Sequence, residues 1–113
     1  MTGGTRSPRR GEVWWVALDP AMGTEIGKTR PAVVISNDSC NSRGSRVIVL
    51  PLTSNVDTLY PGEVRILVRG KPARILGDQM RSVDRLRLRS RVAVLPADEM
   101  ASVEEAVRIT LAL

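Results

Sequence analysis

The sequence has no histidine and no phenylalanine, a single cysteine, and aromatic residues at only 3% of its 113 positions. Each shortage removes a class of chemistry. Without histidine, and with one cysteine alone, the ligand supply for a zinc centre is absent. A carboxylate-held Mg²⁺ site is the only metal site left to consider. Cys40 can form no internal disulfide and has no imidazole to activate it, so cysteine-nucleophile catalysis has no support. Scarce aromatics argue against the extended stacking platform of a non-selective single-strand binder. There is no apolar run long enough to span a bilayer or serve as a signal peptide, so the expected address is the cytoplasm.

What is present is a basic body. The formal charge is +5, but four carboxylates against Arg108 give the segment from Asp98 onward −3, leaving +8 for everything before it. A basic body with a separate acidic C-terminal element points to a polyanion surface, and nucleic acid is the commonest polyanion in cytoplasm. Simple solubility is the plainer reading of the same charge. At this length the chain forms one domain.

Residues 1–8 lack periodicity and are expected to form a disordered basic tail, with the domain running over 9–113. Glu12 to Asp19 is rich in β-branched and aromatic residues and ends at Asp19-Pro20, which predicts a first strand. The polar stretch from Pro20 to Thr29 is longer than a tight hairpin needs, and such loops tend to be functional. Pro31 opens a second strand, and Asn37 to Ser45 reads as a turn-rich excursion. Val47 to Leu52 is a third strand whose Pro51 cannot donate to a ladder, which implies an edge or bulge there. Glu63–Val68, Ala73–Leu76, Gln79–Val83 and Arg91–Leu95 follow as short strands. Met100, Val103, Val107 and Leu111 then recur at helical spacing, with Pro96, Asp98 and Glu99 suited to a helix start. The fold expected is mainly β: a small, SH3-like antiparallel barrel closed by a C-terminal amphipathic helix.

Several separated motifs resemble those of the MazF/PemK family of toxin ribonucleases from about Arg10 to the end. Arg10-Gly11-Glu12-Val13, Leu18-Asp19-Pro20, Gly23-Thr24-Glu25, Arg30-Pro31-Ala32-Val33-Val34 and Ser36-Asn37-Asp38 are similar to the family's opening block. Pro51-Leu52-Thr53-Ser54, Tyr60-Pro61 and the run from Asp78 to Val83 are similar to its later signatures. The stretch between Val68 and Asp78 departs from the pattern, being shorter than the family's usual connection. The resemblance implies a PemK/CcdB-like barrel that works as a homodimer and cuts single-stranded RNA. It also implies a cognate, MazE-like antitoxin whose extended acidic and apolar tail occupies the same groove.

RNA is cut without metal or other cofactor when its own 2′-hydroxyl attacks the adjacent phosphorus, provided the extra charge of the transition state is stabilised. Arg30, where the long loop meets the second strand, is the expected stabiliser, because a guanidinium fork matches two phosphate oxygens. The family attributes proton transfer to this arginine as well, though a guanidinium pKa above about 12 makes a poor base. Thr53 would add a hydroxyl donor, as the matching family threonine does. Glu25 would orient Arg30 or accept the 2′-hydroxyl proton. Gln79 and Arg81 are read as neighbours on one face of a strand and, with Lys28, Asn37, Ser54 and Asn55, as RNA contacts. One of Trp14 and Trp15 should face the core, and the other is free to line a groove.

Two other readings use the same barrel. One is a non-catalytic interaction module, such as a relative of the CcdB toxin that binds a topoisomerase subunit. The other is a basic RNA-binding barrel that leaves RNA intact. Arg30 and Thr53 argue against the first, and the products of incubation with RNA would separate the second.

Overall fold

The computed structural model describes residues 7–113. The expected tail therefore lies outside the described residues up to position 6, and of its last two positions Pro8 is buried. Seven strands follow among the described residues: β1 (Glu12–Ala17), β2 (Thr29–Val34), β3 (Arg46–Thr53), β4 (Glu63–Val68), β5 (Lys71–Leu76), β6 (Arg81–Asp84) and β7 (Leu88–Val94). Helix α1 (Asp38–Arg43) joins β2 to β3, and helix α2 (Ala97–Leu111) ends the chain.

All pairings are antiparallel, in the order β4-β5-β3-β2-β1-β7, with β6 also on β3. The curled sheet buries both faces of its centre. Val33, Leu50 and Leu52 pack in one core with Ile66, Ile75, Met100 and Val103, whereas Ala32, Val34, Val47 and Val49 pack in another with Val16, Leu18 and Val83. Burial on both faces is why β2 and β3 read as nearly continuous apolar runs instead of alternating ones.

Pro51 marks a change of partner. Arg46 to Val49 pair with β6, while Leu52 and Thr53 pair with β5. The residue without an N–H thus sits where that edge of β3 has no ladder to complete. Between β5 and β6 the chain steps past this gap in a 3₁₀ turn, Gly77–Gln79. This corrects the expected strand over Gln79–Val83: Gln79 belongs to the turn and the strand begins at Arg81.

The excursion after Asn37 is also more ordered than its composition suggests. Asn37 caps α1 by accepting from the Cys40 N–H at 2.8 Å, and the fully buried Asn41 donates to the Ser36 carbonyl at 2.9 Å. A capping asparagine can nucleate one turn of helix where turn residues alone predict a loop. Asp38 accepts from the Arg10 N–H at 2.7 Å and pairs with Arg9 at 3.5 Å, stapling the start of the domain to α1.

Helix α2 follows the expected stripe for three of its four positions. Met100 and Val103 are buried and Val107 packs against the core, but Leu111 is half exposed where the last turn leaves the sheet. The Glu99 carboxylate accepts from the Leu67 N–H at 2.9 Å, so the helix also satisfies part of the open edge of β4.

Candidate active site

The β1–β2 loop divides the expected site residues between two depressions. Lys28, Arg30, Thr53 and Ser54 line a groove of about 610 Å³ together with Trp15, Pro31, Leu52, Arg69 and Lys71. Glu25, Gln79 and Arg81 line a second pocket of about 310 Å³ with Asp78 and Met80. The first carries four cations and no carboxylate among its lining residues, whereas the second has Glu25 and Asp78 against Arg81. A polyanion is therefore favoured in the first.

Strand register places the two residues that matter most. Ala32 pairs with Pro51 at the last rung between β2 and β3, and Arg30 and Thr53 lie two residues beyond it on their own strands, both lining the groove. Thr53 in turn pairs with Arg74 on β5, and Arg74 with Arg65 on β4. Arg65 and Arg74 are spent on the backbone, donating to the Val56 and Thr58 carbonyls of the segment after Thr53. Arg30 keeps its fork. Its Nε–H donates to the Gly27 carbonyl at 3.1 Å, which orients the guanidinium, and its terminal nitrogens have no acceptor among the described residues. The Thr53 hydroxyl oxygen accepts from the Asn55 N–H at 3.3 Å, so its own proton remains available to a ligand.

The loop that presents Arg30 is closed at its base by two bonds. The Leu18 N–H donates to the Lys28 carbonyl and the Lys28 N–H to the Asp19 carboxylate, each at 2.8 Å. Lys28 holds φ at +66°, a left-handed conformation uncommon in residues other than glycine. Such strain is typical of segments whose geometry serves a site. Gly27 is required by contact: a Cβ there would lie 2.5 Å from the Asp19 carboxylate and 3.1 Å from the Ala21 Cβ.

Glu25 does not reach this arrangement. Its carboxylate accepts from the Met22 N–H at 2.8 Å, closing its own turn in the second pocket. The expectation that Glu25 orients Arg30 is therefore corrected, since the Gly27 carbonyl does so. Gln79 and Arg81 share the second pocket although they share no strand. Gln79 accepts from the Ile26 N–H at 2.8 Å and Arg81 donates to the Leu18 carbonyl at 2.6 Å, so both brace the loop from below. Asn55 is exposed beside Thr53, with its carboxamide oxygen taken by the Asp57 N–H at 3.2 Å. Asn37 lies apart from both depressions, at the α1 cap.

Of the two tryptophans, Trp14 packs against the second core and donates to the buried Glu12 carboxylate at 3.0 Å, while Trp15, 41% exposed, lines the groove. The sequence reading missed Arg69 and Lys71. The arginines from Arg85 to Arg91 are tied down, as at Arg87 on the Ala17 and Asp19 carbonyls and Arg91 on Glu12. Among the described residues no group of three or more acidic, histidine or cysteine side chains is placed to hold a metal ion.

A curled antiparallel sheet that offers a fixed guanidinium and a hydroxyl from adjacent strands, in a groove free of acids, defines a small β protein suited to a phosphodiester backbone. Residues 9–111 match the family described as PemK-like, MazF-like toxin of type II toxin-antitoxin systems. The endoribonuclease MazF9 of Mycobacterium tuberculosis is 37% identical over 114 aligned positions, covering 93% of this chain and 97% of that protein. The crystal structure of MazF from Deinococcus radiodurans superimposes with a TM-score of 0.85 at 32% identity, covering 96% of this chain and all of that one. A MazE-MazF structure from the same organism matches at 0.77 and 28% identity, over 96% and 99% of the two chains. The chain belongs to the PemK-like, MazF-like toxins.

Proposed function

We propose that this chain is the toxin of a toxin-antitoxin module: a sequence-selective, metal-independent endoribonuclease that cuts single-stranded RNA. The observation that carries the reading is that Arg30 and Thr53 line one groove without carboxylates. The RNA's own 2′-oxygen attacks phosphorus as the bond to the 5′-oxygen breaks, leaving 2′,3′-cyclic phosphate and 5′-hydroxyl ends. The terminal N–H groups of Arg30 donate to the non-bridging oxygens, and the Thr53 hydroxyl donates beside them. Fixed donors aimed at developing charge are worth about 10²–10³ in rate for each one removed. Lys28 and Ser54 hold the flanking backbone and bases, with Asn55 beside them, while Gln79 and Arg81 brace the loop that presents Lys28 and Arg30. Glu25 could take the 2′-hydroxyl proton only after loop movement out of its own pocket, so the arrangement seen assigns that proton to no side chain.

The MazE-MazF structure supports a cognate antitoxin for this chain too. Leu52, Val68, Pro72 and Val92 put apolar surface beneath the groove's cations, which suits an acidic and apolar tail. A homodimer is proposed on the family resemblance, and Ile109, Leu111 and Leu113, exposed at the end of α2, are apolar surface that self-association can cover. No helix among the described residues is long and apolar enough to cross a membrane; the proposed site of action is the cytoplasm.

The test is incubation of antitoxin-free protein with long single-stranded RNA in EDTA, with mapping of the fragment ends. Discrete cuts with cyclic phosphate ends are expected. A requirement for Mg²⁺ would overturn the mechanism, and intact RNA would move the reading to a binding module.

A further inference from the structure

Most cationic side chains here are already spent on the protein. Arg65, Arg74, Arg81, Arg85, Arg87, Arg89 and Arg91 all donate to backbone carbonyls or a carboxylate. Among the described residues, Lys28, Arg46, Arg69 and Lys71 are the cations with neither a hydrogen bond nor an ion pair from their side chains. Three of these four line the groove that holds Arg30 and Thr53, and Arg46 lies elsewhere, near Cys40.

Arg69 and Lys71 reach the groove through the shape of one turn. Val68 pairs with Lys71, so β4 and β5 are joined by the two residues Arg69 and Gly70 alone. Both have positive φ, +52° and +77°, as a two-residue type I′ hairpin requires. A turn this tight adds no mobile loop. The strand order β4-β5-β3-β2 puts this hairpin and Arg30 of β2 on opposite sides of β3, and both line the one groove.

We propose that Arg69 and Lys71 form a second phosphate-binding site, which takes a backbone phosphate of the bound RNA on the opposite side of the groove from the scissile one. The inference rests on the ribonuclease reading and adds how the strand is laid down: one phosphate at Arg30 and Thr53, another at the hairpin. The tight turn spares the backbone part of the ordering cost of binding, leaving only that of the two side chains. The counterions they release from a single strand make the contact salt-dependent, with about 0.7 in the slope of log K against log salt for each phosphate neutralised.

The test is binding of full-length protein to a mixed-sequence, 2′-O-methyl single-stranded RNA, which cannot be cleaved, followed by fluorescence anisotropy over a series of KCl concentrations. Arg69→Asn keeps a residue that accepts positive φ in such a turn, and it is combined with Lys71→Gln. The double variant is expected to lower the slope by about 0.7, the value for one phosphate no longer neutralised, while Arg46→Gln leaves it unchanged. An unchanged slope in the double variant, or an equal fall with Arg46→Gln, overturns the second site. Cleavage of ordinary RNA by the wild type is scored in parallel. Cuts with an unchanged slope defeat this site alone, whereas wild-type protein that neither cuts nor binds RNA defeats the ribonuclease reading and this inference with it.

Discussion

Arg30 and Thr53 lie on adjacent antiparallel strands, each two residues beyond the Ala32–Pro51 pair, and both line the groove that contains no carboxylate. Neither side chain is used up by the fold, because the arginine keeps both terminal nitrogens and the threonine keeps its hydroxyl proton. The geometry of Arg30 depends on its Nε–H bond to Gly27, which a lysine cannot form while also presenting a planar fork. Arg30→Lys should therefore lose nearly as much cleavage rate as Arg30→Ala, about a hundredfold or more. Single-turnover rates on a defined RNA measure this, and a lysine variant close to wild type would show that charge alone suffices.

Glu25 gives a second prediction, with the opposite expectation from the sequence. A glutamine at this position still offers an oxygen to the Met22 N–H, so Glu25→Gln should leave cleavage within a few-fold of wild type. A general base contributes about 10²–10⁴. A loss of that size, with a flattened acid limb in the pH–rate profile, would return Glu25 to the proton-accepting role.

Gly27→Ala tests the support under Arg30. The added methyl meets the Asp19 carboxylate that also receives the Lys28 N–H, so the loop must shift and carry the Gly27 carbonyl with it. The expected results are a loss of about 1–3 kcal/mol in urea unfolding, the usual cost of overpacking, and a fall in kcat greater than the change in KM. Unaltered kcat would mean that the loop does not set the guanidinium.

Acid stability should depend on Asp38. The Arg10 backbone N–H, then Asn41 and the guanidinium of Arg9, hold its carboxyl below the usual range against the opposing effect of burial. A carboxylate favoured by folding contributes stability above its unfolded pKa, near about 3.9, and loses it as pH falls through the lower folded value. Asp38→Asn should therefore be less stable than wild type at neutral pH, with the difference shrinking from about pH 4 downward and vanishing only below the lowered folded value. Chemical unfolding at neutral and acid pH checks this; a difference that persists in acid would point to packing instead.

Much of this molecule was legible in its sequence, and the failures share a cause. Pro51 announced a break in the β3 ladder, and the break is the change of partner from β6 to β5. The same change, invisible in local sequence, forces the 3₁₀ turn that removed Gln79 from its expected strand. Lys28, Arg30, Thr53 and Ser54 come together as the motifs implied, because they sit at matching ends of β2 and β3. Glu25 is close to Arg30 along the chain but lies on the other side of the loop, which spacing cannot reveal. Arg69 and Lys71 went unmarked because the shortness of the Val68–Asp78 stretch read as a deletion, when it makes a tight hairpin beside the groove. The order of α1 depends on the Asn37 cap and the buried Asn41, contacts that turn-forming composition hides.

A double-mutant cycle on the cleavage step shows whether Arg30 and Thr53 act on one phosphate. Rates are measured for wild type, Arg30→Ala, Thr53→Val and the double variant under single-turnover conditions in EDTA. Groups that act as a unit are strongly non-additive, so the double variant should be little slower than the slower single variant. Losses that multiply, or a Thr53→Val rate equal to wild type, would contradict a shared site.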